Sequence, residues 1–294
     1  MNENEWLAAR FEEHRGELRA VAYRMLGSLS EADDAVQEAW LRLSRADTDD
    51  VRNLGAWLTT VVGRVCLSML RSRRTRRESP LTAHVPDPVV SPVDGTDPEQ
   101  QALLADSVGL ALLVVLDSLP PAERLAFVLH DMFAVPFDDI APIVDRSPAA
   151  TRQLASRARR RVQGAAPPPD PDLARQRQVV DAFFAAARDG SFEDLVAVLD
   201  PGVVLRADGG AIPGASGVIH GPENVARQAL MFAGPSRLAR PALVNGGAGV
   251  VVFVNGRPVS VMSFAVADGK ITAIDALTDP ARLARLDLTA LDQQ

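Results

Sequence analysis

The sequence predicts a multi-domain protein in which two all-α domains are followed by an α+β domain with an antiparallel sheet. Apolar residues recur at helical spacing in the first part of the chain, up to about residue 163. Valine-rich runs separated by hairpin dipeptides follow after residue 200, and two proline-rich stretches divide the chain. A length of 294 residues is sufficient for two or three compact domains.

The first domain is predicted to contain an amphipathic helix over residues 31–44, with Ser30 as its N-cap. Its apolar face comprises Ala32, Ala35, Val36, Ala39, Trp40 and Leu43. Its polar and acidic side chains lie largely outside that face: Asp33, Asp34, Gln37 and Glu38. A second helix, over residues 54–74, is apolar at first and almost purely arginine at its end, so we expect that end to face solvent or an anion.

The second domain is predicted to end in a helix-turn-helix over residues 137–162. Residues 138–144 form a short helix, Asp145-Arg146 a turn, and Ser147-Pro148 an N-cap followed by proline at the first helical position. An inward stripe of the second helix is predicted at spacing four, comprising Leu154, Ala158 and Val162. The outward side chains are then Arg152, Gln153, Ser156, Arg157 and Arg160. Residues near the helix start would contact base edges, and later arginines would contact phosphates.

The third domain changes from helical to strand periodicity. Helices are predicted over residues 173–188 and 192–199. The valine-rich runs predict strands over residues 203–206, 249–254, 259–266 and 271–277. Asn255-Gly256 and Asp268-Gly269 lie between consecutive runs and favour tight hairpins. The predicted domain boundaries are 1–78, a linker over 79–100, 101–163, a linker over 164–172, and 173–294.

Charge indicates where anions bind, although the net charge is -7. One arginine tract comprises Arg71, Arg73, Arg74, Arg76 and Arg77. A second comprises Arg152, Arg157, Arg159, Arg160 and Arg161. No lysine or arginine lies between Arg77 and Arg124, so the positive charge is confined to local surfaces suited to phosphate. Taken alone, the first tract would equally suit lipid, nucleic acid or solvent.

Composition excludes several classes of protein. No run of about eighteen apolar residues occurs and the N-terminus is polar, so we expect a cytoplasmic protein without membrane contact. Cys66 is the single cysteine, which excludes a disulfide framework and a cysteine-built zinc site. Its apolar neighbours predict a buried, inert thiol. No cofactor or metal is predicted.

The first two domains resemble those of extracytoplasmic-function sigma factors, the promoter-recognition subunits of bacterial RNA polymerase. The resemblance lies in DDAVQEAWLRL at 33–43, in the segment 56–77 that begins AWL, and in the segment 119–161 that runs from LPPAER to SRARRR. It implies a sigma-2 domain and a helix-turn-helix sigma-4 domain. Core RNA polymerase and promoter DNA are therefore the expected partners. Many family members have asparagine near the position of Gly63-Arg64, so this chain departs from them there.

The resemblance also implies residue roles. Core-polymerase contacts are implied for Asp33, Asp34, Gln37, Glu38 and Leu41. Contacts with the minus-ten element are implied for Arg64, Arg71, Arg73, Arg74, Arg76 and Arg77. Contacts with the minus-thirty-five element are implied for Arg152, Gln153, Ser156, Arg157 and Arg160.

The third domain resembles the SnoaL-like cone, a fold with a curved antiparallel sheet, and its fusion to sigma domains is similar to one subgroup of the family. The motifs are HVPDP at 84–88, DGG at 208–210 and DPARL at 279–283. Interdomain regulatory contacts are implied for Pro86, Asp87, Pro88, Asp208, Gly209, Gly210, Asp279, Pro280 and Leu283. We further expect the tail over 279–288, with Arg282 and Arg285, to bridge the cone to an acidic neighbour such as the linker.

Two alternative functions remain at this stage. The chain could be a DNA-binding regulator that acts without core polymerase, with a cone that senses a small molecule. It could also be an enzyme, but Asp208 and His220 are the available acid-base candidates in the cone, and turn or loop positions suit both better. We therefore expect a sigma factor without catalytic activity, and a small-molecule ligand in the cone remains a hypothesis.

Overall fold

The computed structural model describes residues 3–45, 53–76, 84–93, 109–165, 170–234 and 236–291. These residues divide into two compact units. One unit holds the described residues up to 76 together with 115–165, and the other holds 84–93, 109–114 and everything from 170 onward. The linker residues 84–93 therefore belong with the C-terminal domain.

Three helices open the first unit: α1 (Glu3–Leu26), α2 (Leu29–Leu43) and α3 (Leu54–Arg76). The predicted apolar stripe of α2 is buried at Ala32, Ala35, Val36, Ala39 and Leu43. The N-cap prediction is wrong by two residues. Ser28, in an extended conformation, accepts a hydrogen bond from the Glu31 amide, because α2 begins one residue before Ser30.

The rest of the unit is also helical and includes the predicted helix-turn-helix. Its elements are α4 (Leu110–Asp117), of which residues 115–117 belong to this unit, α5 (Pro121–Phe127), a π-helical turn (Val128–Met132), α6 (Phe137–Val144) and α7 (Pro148–Ala165). Asp145 closes α6 with a left-handed φ of 56°, and the Ser147 hydroxyl accepts the Ala150 amide at 3.2 Å. The predicted helix, turn and N-cap are confirmed.

Helix α3 packs directly on the helix-turn-helix segment within this unit. A Cβ atom at Gly63 would lie 3.6 Å from a methyl group of Ile143 in α6, and 3.5 Å from methyl groups of Leu125 and Leu129. The buried Arg124 guanidinium donates to the Arg24 carbonyl at 3.2 Å and to Asp117 at 2.9 Å. The two predicted helical domains thus share one packed interior.

The C-terminal unit contains a seven-stranded sheet within the described residues. Its strands are β1 (Val90–Ser91), β2 (Leu199–Asp208), β3 (Gly217–His220), β4 (Arg237–Val244), β5 (Gly247–Val254), β6 (Arg257–Ala267) and β7 (Lys270–Leu277). Their spatial order is β1-β4-β5-β6-β7-β2-β3. Asn255 and Asp268 have positive φ angles in the two predicted hairpins.

The sheet is mixed, which corrects the prediction of a purely antiparallel sheet. β2 pairs with β7 in parallel, and the other neighbours pair antiparallel. A long connection separates β2 from β7 in the chain, and such a connection permits parallel pairing where a tight hairpin does not. Helical and sheet-rich parts still follow each other in the predicted order.

Helices cover one face of this sheet: α8 (Leu173–Asp189), α9 (Phe192–Val198) and α10 (Pro222–Phe232). Val180, Phe183 and Leu195 of these helices belong to one buried core with Phe264 and Ile274 of the sheet. After β7 the chain continues into α11 (Pro280–Leu283) and a 3-10 turn (Thr289–Leu291). The tail is attached to the sheet by Arg240, which donates to the Leu291 carbonyl.

Candidate functional site

The outer surface of α2 is acidic and open. Asp33, Asp34 and Gln37 are exposed, Glu38 is half-buried, and Leu41 is 38% exposed although it is apolar. Asp33 accepts from Arg19 at 2.6 Å, and Glu38 accepts from Arg42 at 2.9 Å. Because these ion pairs lie in solvent, they are weak and exchangeable. The surface carries acidic side chains, whose weak ion pairs a partner can replace, and an exposed leucine. This combination suits contact with a protein.

A cleft lies beside this surface, between α1 and α2. The rings of Phe11 and Trp40 lie 5.2 Å apart, and both line the cleft together with Val36. Asp33 and Gln37 also line it, so the cleft is continuous with the acidic surface of α2.

The arginines predicted to contact the minus-ten element differ in their surroundings. Arg64 and Arg71 are exposed on α3. Arg73 is half-buried and donates to Glu31 at 3.1 Å and to the Leu26 carbonyl at 2.9 Å, so its side chain ties α3 to the start of α2. Arg74 and Arg76 lie in α3 but their side chains are outside the described atoms, and Arg77 lies outside the described residues.

The outward surface of α7 carries the polar residues predicted there. Arg152, Gln153, Arg157 and Arg160 are exposed, and Ser156 is half-buried.

The inward stripe of α7 is formed by Thr151, Ala155 and Ala158, whereas Leu154 and Val162 are only half-buried. Residues spaced strictly by four drift by about 40° per step around a helix, so the predicted stripe leaves the packed face. The stripe prediction is correct only at Ala158.

Two arginines of α7 are held by acids from earlier elements. Arg159 donates to Asp131 of the π-helical turn at 2.6 Å, and Arg161 donates to Glu123 of α5 at 2.7 Å. The acid partners are absent from α7 itself, so the local sequence gives no sign of them. Neither arginine belongs to the predicted DNA-contacting set.

One side chain joins the linker to the C-terminal domain. Arg282 of α11 donates to Asp87 at 2.7 Å, to Asp208 at 2.8 Å and to the Val85 carbonyl at 2.6 Å. The Val85 amide in turn donates to Asp208 at 3.0 Å, and His84 Nδ1 lies 3.2 Å from the same carboxylate. We call the group of Arg282, Asp208, Asp87 and His84 the linker clasp. The predicted bridge from the tail to the linker is confirmed for Arg282.

The charge of Asp208 is stabilised in the clasp. Burial raises the pKa of this carboxyl, but hydrogen bonds from His84 and from the Val85 and Gly210 amides, together with Arg282, outweigh burial and hold the pKa well below its usual range. Asp208 is therefore a carboxylate at neutral pH. It binds the linker rather than marking only a turn.

Part of the linker also forms a strand at the edge of the sheet. β1 pairs antiparallel with β4, at the register Val90 to Val244 and Ser91 to Leu243. Asn245 accepts the Val89 amide through its side chain at 3.0 Å and donates its own amide to the Val89 carbonyl at 2.8 Å. Pro86 and Pro88 are buried. Sequence reasoning missed Asn245, whose only local signal is the Asn-Gly turn after β4.

The remaining motif residues shape the clasp. Gly210 has a φ of 63°, and a Cβ atom there would overlap the Asp279 carboxylate. A Cβ atom at Gly209 would overlap Ala215. Asp279 caps α11 through the Ala281 amide at 2.9 Å, Pro280 is the first residue of α11, and Leu283 is buried. These residues set the direction from which Arg282 reaches the linker.

The two acid-base candidates of the C-terminal domain are not brought together. His220 is exposed at the end of β3 and pairs in register with Val204, four residues before Asp208 on β2. That offset corresponds to about 13 Å along a strand. Among the described residues, no group of three histidine, cysteine or acidic side chains could hold a metal ion, and no helix is long and apolar enough to cross a membrane.

Comparison with known proteins identifies both helical segments. The family model of Sigma-70 region 2 matches residues 10–76, and that of Sigma-70 region 4 matches residues 109–162. ECF RNA polymerase sigma factor SigJ of Mycobacterium tuberculosis (strain ATCC 25618 / H37Rv) is 40% identical over 287 residues, which cover 92% of this chain and 91% of that protein. Probable ECF RNA polymerase sigma factor SigI of Mycobacterium tuberculosis (strain CDC 1551 / Oshkosh) is 35% identical over 285 residues, 96% of this chain and 97% of that protein.

The fold agrees along nearly the whole chain. The crystal structure of Mycobacterium tuberculosis extracytoplasmic function sigma factor SigJ superposes with a TM-score of 0.77 at 36% identity, and the match covers 96% of this chain and 99% of that one. The predicted succession of sigma-2, sigma-4 and a sheet-rich C-terminal domain is confirmed. The chain therefore belongs to the family of extracytoplasmic-function RNA polymerase sigma factors, which direct transcription initiation.

Proposed function

We propose that this chain binds core RNA polymerase through α2, contacts promoter DNA through the end of α3 and the outward surface of α7, and regulates both through its C-terminal domain. The observation that carries the regulatory part is the linker clasp, in which Arg282 contacts Asp87, Asp208 and the Val85 carbonyl. The setting is the cytoplasm, where core polymerase and promoter DNA are found. A small-molecule ligand of the C-terminal domain stays a prediction.

The acidic surface of α2 supports contact with protein rather than DNA. Exposed carboxylates at Asp33 and Asp34 repel phosphate, and the exposed Leu41 offers apolar area to a partner. Replacement of Asp34 and Glu38 by lysine should weaken binding of core polymerase at least tenfold, an effect on the order of 1.4 kcal/mol. The control is Glu17→Lys, an exposed position on α1. Equal pull-down of core enzyme by the folded double variant and the control would remove α2 from the interface.

The exposed arginines of α3 and the outward surface of α7 support contact with DNA. Arg64 and Arg71 are exposed on α3, and Arg152 and Arg157 are exposed on α7. Arg152 lies one turn after the start of α7, where side chains of a recognition helix reach base edges. Arg157 lies further along, where we expect a phosphate contact. Arg73 is a weaker candidate, because it is bound to Glu31 and Leu26.

The linker clasp supports control of the DNA-binding segments. Residues 84–93 form part of the covalent connection between α3 and the helix-turn-helix, and they lie on the C-terminal domain, where Val90 and Ser91 pair with β4. Because the two DNA-binding segments share one packed interior, fixing the connection between them limits how far they can separate to reach two promoter elements at once. The C-terminal domain can therefore set promoter output without contacting DNA.

Runoff transcription with purified core polymerase tests this regulation. We compare the full chain with a chain ending at Ala166, a chain ending at Thr278 and the full chain with Arg282→Ala. The chain ending at Ala166 lacks the C-terminal domain, and the chain ending at Thr278 lacks Arg282 of the clasp. Both should change the amount of transcript, and Arg282→Ala should give the same result as the chain that ends at Thr278. Identical transcription from all four, at matched amounts of folded protein, would make the C-terminal domain a passenger.

A further inference from the structure

Three side chains contact one another in a row at the helix-turn-helix, and we call this row the column. It consists of His130 in the π-helical turn, Phe137 at the start of α6 and Arg152 in α7. The rings of His130 and Phe137 are stacked, with centroids 3.7 Å apart and planes inclined by 29°. The guanidinium carbon of Arg152 lies 5.5 Å from the Phe137 ring centroid, within the range of a cation–π contact.

The histidine end of the column is fixed to the backbone. His130 Nδ1 lies 3.0 Å from the Val135 carbonyl, and because a carbonyl only accepts, the imidazole donates from Nδ1. The Val135 amide donates to the Leu129 carbonyl at 2.9 Å. These two hydrogen bonds therefore fix the turn before α6 to the π-helical turn. His130, held in this way, stacks on the Phe137 ring.

Phe137 itself is held by α6. It is the first residue of that helix, and Ile140, Ala141 and Val144 further along are buried in the domain interior. The backbone that carries the ring is therefore held by the helix, and the stacked His130 ring restricts rotation of the Phe137 side chain. The ring is thus a platform for the Arg152 guanidinium, whose central carbon lies 5.5 Å from the ring centroid.

Stacking leaves the hydrogen-bonding edge of an arginine available. A guanidinium is planar, and its N–H donors lie in the plane, so a contact through its face does not occupy them. The same edge makes the bidentate contact with guanine in the major groove. The cation–π contact with Phe137 therefore restricts the rotamers of Arg152 without itself using the N–H donors.

We propose that Phe137 is a positioning residue for Arg152. The column of His130, Phe137 and Arg152 then sets the base preference at the one base pair of the minus-thirty-five element that Arg152 contacts. This inference rests on the proposed function of α7 in DNA contact. Holding the side chain before DNA arrives lowers the entropy lost on binding. The column therefore contributes to sequence preference, whereas Arg157 and Arg160 contribute to affinity for any sequence.

Selection from a randomised promoter tests the inference. The probe is a DNA duplex library with a randomised minus-thirty-five window, bound by holoenzyme made from core polymerase and the full chain. The variants are Arg152→Ala, Phe137→Leu, Phe137→Tyr and the double variant Phe137→Leu with Arg152→Ala, with Arg157→Ala as the control. Leucine retains apolar volume without a ring face, and tyrosine retains the face. Thermal unfolding checks that each variant is folded.

We expect Arg152→Ala to remove the preference at one base pair. Phe137→Leu should weaken the preference at that same base pair by about threefold to tenfold, and Phe137→Tyr should preserve it. In the double variant, Phe137→Leu should add nothing. Arg157→Ala should leave every base preference in place.

Three results would overturn the inference. If Arg152→Ala removes a preference that Phe137→Leu leaves intact, Phe137 does not position Arg152, although Arg152 remains a base contact. If Phe137→Leu weakens binding of all sequences equally, its role is structural. If Arg152→Ala removes no preference, the base contact proposed for Arg152 fails and the positioning role fails with it.

Discussion

The arginines on the outward surface of α7 and Arg282 in the linker clasp are placed by different means. Arg157 and Arg160 are exposed, and they are placed by the periodicity of the helix that carries them. Arg282 is 17% exposed, and its partner Asp87 lies 195 residues away in the sequence. The position of a solvent-facing cation therefore follows from local sequence, whereas that of a paired cation depends on chain folding over long distances.

The two regions also differ in what a lost charge would cost. Asp208 in the clasp is 6% exposed and depends on Arg282 for part of its stabilisation, so removal of either partner leaves a polar group poorly solvated. An arginine on the surface of α7 returns to water when its partner is absent. Substitutions in the clasp should therefore affect folding, and those on α7 should affect DNA binding.

Arg282→Ala should have the largest effect. It removes donors to Asp87, Asp208 and the Val85 carbonyl, so we expect the C-terminal domain to lose about 3 kcal/mol of unfolding free energy. Urea unfolding measures this loss, and limited proteolysis shows whether the linker is released. Arg285→Ala, an exposed arginine on the same tail, is the control. Equal stability of the two variants would mean that the clasp contributes little.

Asp208→Asn should cost about 2 kcal/mol at neutral pH, since hydrogen bonds to a charged group are lost. The pKa of Asp208 is lowered in the folded protein, so its carboxylate stabilises the fold above the unfolded pKa of about 4 and loses this effect as pH falls below that value. The difference in unfolding free energy between wild type and variant should therefore shrink below about pH 4. A difference that stays constant down to pH 3 would contradict the assignment.

Arg157→Ala, on the exposed surface of α7, should leave the free energy of unfolding unchanged. Its loss should weaken binding of matched and scrambled DNA alike, by about 1 kcal/mol, and should lower the dependence of log K on log salt by about 0.9. Salt titration of holoenzyme binding measures both quantities. A selective loss on the matched element would reassign Arg157 to base contact.

Arg159→Ala should have the smallest effect. Its ion pair with Asp131 is 2.6 Å long but lies at the surface, with the arginine side chain 41% exposed, so we expect a loss of about 0.5 kcal/mol in unfolding free energy. DNA affinity should be unchanged, because the guanidinium is directed to Asp131. If Arg159→Ala weakened DNA binding as much as Arg157→Ala, the division of α7 into a DNA-facing and a packed side would be wrong.

Local sequence was sufficient for elements whose cause is local. The turn at Asp145, the cap at Ser147 and the hairpins at Asn255 and Asp268 follow from single residues that tolerate left-handed angles or accept amide hydrogen bonds. The amphipathic stripe of α2 follows from helical periodicity. The family and its two DNA-binding segments were recognised from such short motifs.

Other elements were not predicted from the sequence, because contacts with neighbouring strands or helices stabilise them. β4 contains arginines and Pro241, which are atypical of a strand interior, so the sequence did not predict it. In the structure it pairs along its full length with β5. β1 is two residues long and exists as a strand because β4 offers it an edge. The inward stripe of α7 was misplaced since the packed face depends on which side contacts α5 and α6.

The family, the order of helical and sheet-rich parts and the outward arginines follow from the amino-acid sequence, because each depends on patterns within a few turns of chain. The tertiary structure alone decided that Asp208 is a buried carboxylate, that Asn245 receives the linker and that Arg159 and Arg161 are paired. Electrostatic interaction depends on distance in space and on exclusion of water. Neither quantity can be obtained from positions in the sequence until the chain has folded.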